Sequence, residues 1–405
     1  MRRRPLSFLA ALVLVAAAQP LMAWAQAPGP DDPLWSLQWA PQQINAPQAW
    51  EQATGAGQVV AVVDSGVDLD HPDLVGKIAG GATFVGCPDR ENGCGDGDVD
   101  SGERRDGDGH PHGTHVAGIV AAVADNGVGV AGVAPDARIL AVKSLNGDGE
   151  GSFEEVAAGV RWAAANGADV INLSLGALPG AQALTLLGDE DPLVAAIDGA
   201  IDAGVVVVAA AGNEFASICA EPAFASGALC VSATDRYENR APFSNFPIDP
   251  DMHVVSAPGG SALLSCQDDI VSTVPEDRGD ICTEIEGTPG YDFYAGTSMA
   301  APHVAAVAAL LTGFGLGNVD VVATLERTAR TPVSGERGGY TPLYGFGIVD
   351  AAAAVADATG AEPTEDPTAE PTEEPTAEPT EDPTEEPSPR PTRAPREPPR
   401  GPRGR

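Results

Sequence analysis

The stretch Gln58-Val-Val-Ala-Val-Val-Asp64 is an apolar run that ends in a carboxylate. Continuous apolar character over so few residues, most of them β-branched, predicts a strand that is buried on both faces. Similar runs recur at Ile139-Leu-Ala-Val-Lys143, Asp169-Val-Ile-Asn-Leu-Ser-Leu175 and Val205-Val-Val-Val-Ala-Ala-Ala211. We therefore expect these runs to pair in a parallel sheet that helices cover on both sides.

Helical patterns fill the intervals between the runs. Residues 114–124, 152–166 and 192–203 have helical spacing, and Ser152 with Glu155 forms a capping box at the start of the second pattern. Alternating strands and helices indicate an α/β fold with a doubly wound, mostly parallel sheet. We assign one large domain of this class to residues 34–358, preceded by a short segment of residues 26–33.

The first residues carry the features of a secretory signal peptide. Residues 2–4 are arginines, residues 6–18 are apolar, and Ala23-Trp24-Ala25 offers small residues where a signal peptidase cuts. The apolar run is too short for a membrane anchor, and no later stretch is long enough to span a bilayer. We expect residues 1–25 to be removed and the mature protein to be secreted without membrane insertion.

The last residues, 359–405, differ in composition from the rest of the chain. A proline falls at every fourth position from residue 362 to 389, and residues 390–405 are rich in proline and arginine. Such a segment cannot bury a core, so we predict a disordered, extended tail. Two interpretations remain: a spacer, or a tether that contacts a cell surface through its basic end or a glycosylated stalk.

The net charge of the chain limits the classes of molecule that it can bind. It contains 58 acidic and 22 basic residues, a formal net charge of −36. Nucleic acid is bound through basic patches, so it is excluded as the natural partner. The acidity is compatible with cation binding, a salty habitat or simple solubility.

Six cysteines in an exported chain indicate disulfides. Their clustering favours three local bridges, Cys87–Cys94, Cys219–Cys230 and Cys266–Cys282. A metal site is the alternative, but no Cys-x-x-Cys pair supports it.

Three segments carry residues for nucleophilic catalysis: Val62-Val63-Asp64-Ser65-Gly66, His112-Gly-Thr-His-Val-Ala-Gly118 and Gly296-Thr-Ser-Met-Ala-Ala-Pro-His303. A hydroxyl becomes a useful nucleophile when an imidazole takes its proton, and a buried carboxylate holds that imidazole in the required tautomer. A serine at the start of a helix also lies among free backbone N–H groups that stabilise an oxyanion. Ser298 fits this place, because Gly296 permits a tight turn and residues 299–311 favour a helix.

The three segments resemble the signatures of the subtilisin-like serine proteases, in that family's order Asp, His, Ser. The resemblance covers residues 32–357, and its thermitase-like branch is indicated by Asp32-Pro33 and Ile44-Asn-Ala-Pro-Gln-Ala-Trp50. It implies a monomeric serine endopeptidase with Asp64, His112 and Ser298 as the catalytic triad. It also implies that Asn213 and the backbone N–H of Ser298 bind the oxyanion, whereas His115 and His303 are structural.

The resemblance implies protein or peptide substrates, bound as an added strand between two edge segments. These segments are Ser174-Leu175-Gly176 and Gly149-Glu150-Gly151. Phe153 matches the aromatic residue that lines the pocket for the fourth residue before the cut. Gly212 and Glu214 fall near the primary pocket, and a basic substrate side chain could approach Glu214.

A structural Ca²⁺ ion is the expected cofactor, with no organic cofactor. The resemblance places its ligands at the side chains of Asp32, Asp73 and Asn126 and at the carbonyls of Ala124, Val128 and Val130. A second candidate is the acidic loop that begins at Asp96 and includes Asp98, Asp100, Glu103, Asp106 and Asp108. Its spacing does not fit an EF-hand, and a solvated acidic loop is the equal alternative.

Two departures from the family and two rival functions accompany this interpretation. Many members carry an inhibitory pro-segment, whereas only residues 26–31 separate the signal from the enzyme here. Proline at position 111 replaces a common glycine, and we expect it to stiffen the loop without displacing the imidazole. The rivals are a catalytically silent peptide-binding module and a surface protein whose tail matters more than its enzyme.

Overall fold

A seven-stranded parallel sheet forms the centre of the molecule, with the spatial order β2-β3-β1-β4-β5-β6-β7. The computed structural model describes residues 29–361, apart from residues 102–108, 177–190, 225, 264, 277–287 and 333. The strands are β1 (Val59–Asp64), β2 (Ile78–Thr83), β3 (Arg138–Lys143), β4 (Val170–Leu173), β5 (Val206–Ala210), β6 (Leu229–Thr234) and β7 (Val254–Pro258).

Eight α-helices accompany the sheet in the described part of the chain: α1 (Trp39–Gln43), α2 (Ala46–Ala49), α3 (His112–Ala121), α4 (Phe153–Ala165), α5 (Pro192–Asp202), α6 (Thr297–Thr312), α7 (Asn318–Thr328) and α8 (Ala351–Thr359). Successive residues of β1 pack on opposite sides: Val60 and Val62 join the core with α3 and α6, while Ala61 and Val63 join the core with α4 and α5. This alternation follows from the two-residue period of a strand. The predicted doubly wound α/β fold with helices on both faces is confirmed.

Helix α6 runs through the larger of the two cores. Residues 299–311 are all buried, which explains why this segment is apolar on every side. A helix that is enclosed in this way has little freedom to shift, so its first residues are held firmly at the edge of the sheet.

A two-stranded antiparallel sheet of β8 (Ile270–Thr273) and β9 (Tyr291–Tyr294) packs against α3. The hydroxyls of Ser272 and Thr273 donate to the carbonyls of His115 and Thr114, at 2.7 Å each. Nε2 of His115 donates to the Ile270 carbonyl at 3.0 Å. These bonds fix the helix that begins at His112.

Two of the three predicted disulfides are present, Cys87–Cys94 and Cys219–Cys230. Cys282, the predicted partner of Cys266, lies outside the described residues. The predicted signal peptide and tail also lie outside them, apart from the first three residues assigned to the tail. Within residues 29–361 as described, no helix is long and apolar enough to cross a membrane.

Candidate active site

The carboxylate of Asp64 and the ring of His112 meet at the carboxyl end of β1. Nδ1 of His112 lies 2.8 Å from Oδ1 and 3.0 Å from Oδ2 of Asp64. Asp64 is fully buried, and its Oδ1 also accepts the Ser65 N–H at 2.7 Å. Burial alone would lower the pKa of His112, but the charge of Asp64 and its hydrogen bond raise that pKa above the ordinary value. The pair therefore favours an imidazolium when a proton reaches the ring.

The start of α3 holds His112 against this carboxylate. The Ser65 hydroxyl accepts the Gly113 N–H at 3.0 Å and donates to the His110 carbonyl at 2.9 Å. Pro111 precedes the helix with φ of −72°, which suits its ring, and the imidazole still reaches Asp64. Among the described residues, the ring of His112 makes hydrogen bonds only with Asp64, so its Nε2 has no protein partner there.

Ser298 is the second residue of α6, and Ser174 anchors its backbone. Proline at position 302 has no N–H, so the Ser298 carbonyl lacks its usual partner one turn along the helix. The Ser174 hydroxyl donates to that carbonyl instead, at 2.6 Å. Within the described part of the chain, the Ser298 hydroxyl and backbone N–H make no hydrogen bond.

The carboxamide of Asn213 is oriented by the same helix start. Its Oδ1 accepts the Thr297 N–H at 2.9 Å and the Thr297 hydroxyl at 3.1 Å. A Cβ placed on Gly296 would lie 3.6 Å from both Nδ2 of Asn213 and the backbone nitrogen of Ser298. These two donors thus border the same small space, which a glycine leaves open.

A cleft of about 580 Å³ opens beside the Asp64–His112 pair. It brings together most of the predicted substrate residues: Gly149, Glu150, Gly151, Phe153, Ser174, Leu175 and Gly176. The cleft is not lined by Gly212, Asn213 or Ser298. The Gly212 N–H donates to the hydroxyl of Thr297, the first residue of α6, at 3.1 Å, so Gly212 packs against the start of that helix. The two predicted edge segments therefore face one shared cavity.

Several residues that the sequence analysis did not assign also line the cleft, among them His110, Asp148 and Glu221. The ring centroids of His110 and His112 are 6.0 Å apart. Burial is the main cause that lowers the pKa of His110, and the charge of the neighbouring His112 lowers it further. The sequence did contain a signal for His110, because it is a second histidine two residues before the motif that begins at His112. Nothing in the sequence marks Glu221 as a cleft residue.

Two buried histidines of the catalytic motifs, His115 and His303, are structural in their contacts. His115 stacks on Tyr294 with ring centroids 4.5 Å apart, and burial lowers its pKa to about 3. Nδ1 of His303 donates to the Met299 carbonyl at 2.7 Å, and burial lowers the pKa of His303 to about 4. Both rings are therefore neutral at physiological pH.

The side chains predicted to bind calcium lie close together, away from the cleft. Asp32 accepts the N–H groups of Asp125 and Asn126 at 3.0 and 3.2 Å. Asp73 accepts Nδ2 of Asn126 at 2.8 Å and the Val130 N–H at 2.9 Å. Burial raises the pKa of Asp73 to about 6, and the nearby charge of Asp32 adds to this effect.

The buried carboxylates of Asp32 and Asp73 lie beside a loop that offers the Asn126 amide oxygen and backbone carbonyls. Such an oxygen-rich donor set fits a hard cation. No group of three or more His, Cys, Asp or Glu side chains in the described residues has metal-binding geometry. The predicted set contains only two acids and depends on amide and carbonyl oxygens. In the second, acidic candidate loop, Glu103, Asp106 and Asp108 lie outside the described residues.

Comparisons with known proteins agree with this fold. Residues 55–347 match the model of the Subtilase family, and residues 361–397 match a model described as PT disordered repeat. Thermitase of Thermoactinomyces vulgaris is 41% identical over 301 residues, 74% of this chain and 91% of that protein. The thermophilic serine proteinase of Bacillus sp. (strain AK1) is 39% identical over 318 residues, 78% of this chain and 68% of that protein.

A solved protease structure from Pseudoalteromonas arctica PAMC 21717 matches with a TM-score of 0.65 and 33% identity, covering 82% of this chain and 100% of that one. The doubly wound fold and these relatives define the class of the protein, which is a serine endopeptidase. The chain belongs to the subtilase family. The predicted resemblance to that family and its thermitase-like branch is confirmed.

Proposed function

We propose that the protein hydrolyses peptide bonds through an acyl-enzyme intermediate formed on Ser298, with His112 as the base and Asp64 as its orienting carboxylate. The observation that carries this proposal is the contact between the buried carboxylate of Asp64 and the partly exposed ring of His112. Oδ1 and Nδ1 lie 2.8 Å apart, and Nε2 has no protein partner in the described residues. Catalytic hydrogen bonds are often long in unliganded enzymes and tighten when substrate binds. A movement of the Ser298 hydroxyl toward Nε2 is part of the proposal.

The proposed reaction begins when Oγ of Ser298 attacks the scissile carbonyl carbon and Nε2 of His112 takes the hydroxyl proton. Asp64 stabilises the resulting imidazolium, which then gives the proton to the leaving amine as the peptide bond breaks. Water then attacks the acyl carbon while Nε2 of His112 takes its proton. His112 gives that proton to Oγ of Ser298 as the ester bond breaks. The products are a free carboxylate and the regenerated serine.

The oxyanion of each tetrahedral intermediate would be bound by Nδ2 of Asn213 and the backbone N–H of Ser298. The orientation of the Asn213 carboxamide supports this role. Its Oδ1 already accepts two hydrogen bonds from Thr297, so its NH₂ group is free to donate to the oxyanion. Donors that are already fixed before reaction need no reorganisation as charge develops. The space beside Gly296 is where both donors can reach one oxygen atom.

The peptide would lie as an added strand between residues 149–151 and residues 174–176, which face the same cleft. A fluorophosphonate tests the catalytic part of this proposal. We expect it to abolish casein cleavage and to modify one serine, which peptide mapping should identify as Ser298. Modification of another serine would refute the assignment, and a protein that binds peptides without labelling or cleavage would be a silent binding module.

We further propose that one structural Ca²⁺ ion is held by Asp32, Asp73 and Asn126 together with the carbonyls of Ala124, Val128 and Val130. The ion would neutralise the two buried carboxylates and tie the N-terminal segment to the loop that follows α3. Its role is structural, so it takes no part in the reaction.

Chelation of calcium is expected to lower the melting temperature of the wild-type protein by several degrees, since bound ligand stabilises the folded state. Asp73→Asn should abolish most of the difference between calcium-loaded and chelated protein, whereas Asp320→Asn, an exposed acid on α7, should keep it. Differential scanning fluorimetry with and without chelator measures both. Equal calcium responses in all three proteins would remove this site.

Secretion and the role of the tail are also proposals. The signal-like residues 1–25 support export, and two disulfides in the described residues suit an oxidising compartment. The proline-rich tail is proposed to act as a spacer after α8, with contact to a cell surface through its arginines as the alternative.

A further inference from the structure

Asn245 is a fully buried residue outside the cleft, and all four hydrogen bonds of its side chain go to one short segment, residues 211–216. Its Oδ1 accepts the N–H groups of Glu214 at 3.1 Å and Ala216 at 2.8 Å. Its Nδ2 donates to the Ala211 carbonyl and to Oε2 of Glu214, each at 2.8 Å. A carboxamide can make four such bonds, so its capacity is fully used.

The backbone of Asn245 adds a fifth bond to the segment and connects it to the sheet. Its N–H donates to the Gly212 carbonyl at 3.0 Å. Its carbonyl accepts the hydroxyls of Ser232, on β6, and Ser244, at 2.9 and 2.8 Å. Asn245 therefore links segment 211–216 to β6, in addition to the direct bond from the Ala211 N–H to the Val231 carbonyl at 2.9 Å.

The segment has an irregular backbone that needs such support. Gly212 has φ of +100° and Phe215 has φ of +56°, so neither helix nor strand hydrogen bonds can hold the chain between them. A Cβ on Gly212 would lie 2.4 Å from Nδ2 of Asn245, which shows how closely the two pack. Asn213, the proposed oxyanion donor, lies in the middle of this stretch.

We propose that Asn245 is a positioning residue for catalysis: it holds segment 211–216 so that the Asn213 carboxamide points at the oxyanion. This inference rests on the proposed function, because it gives Asn245 a role only through Asn213. Asn245 does not contact the substrate, and Glu214 is fixed by the same side chain.

Asn245→Ala should lower kcat by roughly 10- to 100-fold with KM changed by less than about 3-fold, because small displacements of catalytic groups cost up to ~10²-fold in rate. The affinity for a peptide aldehyde, which forms an oxyanion on the serine, should fall by a similar factor. Ser232→Ala is the matched control: it removes one buried hydrogen bond to the Asn245 carbonyl and leaves the side chain in place. We expect the control to change kcat by less than about 3-fold.

A double-mutant cycle with Asn213→Ala separates positioning from general stability. If Asn245 acts through Asn213, adding Asn245→Ala to Asn213→Ala should cost less than about 3-fold in kcat. Losses that multiply independently would overturn the proposal. Should Asn245→Ala fail to fold, Asn245→Asp replaces it, since that side chain keeps the acceptor oxygen but loses both donors and places a carboxylate against Glu214.

Amide hydrogen exchange provides a measurement that does not depend on activity. Asn245→Ala should accelerate exchange in a peptide that covers residues 211–216, with α6 unchanged, whereas Ser232→Ala should not. Unchanged exchange there would overturn the inference. A normal kcat in Asn213→Ala would instead refute the oxyanion assignment of the proposed function, and hydrogen exchange would then still decide whether Asn245 holds the segment.

Discussion

Replacing Ser298 by alanine is expected to lower kcat for peptide hydrolysis by about 10⁶-fold, the magnitude that loss of the nucleophile costs in a subtilisin. The variant lacks the atom that forms the acyl-enzyme, and His112 then has no hydroxyl to deprotonate. KM should change little, because the cleft residues remain in place. Active-site titration with a fluorophosphonate and single-turnover kinetics on a peptide ester measure the loss.

The fold should survive this substitution, because the Ser298 hydroxyl makes no hydrogen bond within the described residues and the anchoring bond from Ser174 goes to the backbone carbonyl. The melting temperature is therefore expected to stay close to that of the wild type. Ser261→Ala, a buried serine elsewhere, controls for removal of a hydroxyl as such. Turnover above one hundredth of the wild-type rate in Ser298→Ala would refute a serine nucleophile at this position.

The parts of the site that local patterns could predict are those at the ends of regular elements. Asp64 ends β1 and Ser298 is the second residue of α6, as the apolar run and the helix-forming segment indicated, whereas α3 begins at His112, two residues before the predicted helical pattern. Carboxyl ends of parallel strands meet at one edge of the sheet, so a strand-end carboxylate and an adjacent helix start are brought together by topology alone.

Strands β6 and β7 were not predicted, and their buried hydroxyls explain why. Ser232 and Ser256 interrupt the apolar runs, yet both are buried because loops accept their hydrogen bonds: the Ser256 hydroxyl donates to the Tyr344 carbonyl at 3.1 Å. Such partners come from tertiary packing and leave no local pattern. Asn245 was missed for the same reason, since it is a single polar residue that supports a segment about 30 positions earlier in the chain.

Replacing Asp64 by asparagine is expected to lower kcat by about 10⁴-fold, the second largest effect after loss of the nucleophile. The amide keeps the shape of the carboxylate but has no charge to stabilise the imidazolium. It also presents one oxygen and one N–H to the ring, so it no longer fixes the proton on Nδ1. Because the substrate cleft is unaltered, KM should again remain nearly constant.

The same variant should change the pH dependence in a defined direction. His112 acts as a base only when neutral, so the rate rises with pH as the ring loses its proton. Asp64 raises the pKa of His112; removing its charge lowers that pKa, and the acid limb of kcat/KM should move to lower pH. A profile of kcat/KM from pH 4 to 9 in both proteins measures the shift.

A matched control exists at the surface, where Nδ1 of His253 lies 2.8 Å from Oε1 of Glu326 and the hydrogen bond raises the pKa of His253. Glu326→Gln removes the same kind of carboxylate from a histidine outside the cleft, so it should lower the pKa of His253 and leave the kcat/KM profile unchanged. If Asp64→Asn kept its acid limb in place, or moved it to higher pH, the imidazole that limits the rate would not be the one paired with Asp64. His110, which also lines the cleft, would then become the candidate base, because its ring carries no hydrogen bond to that carboxylate.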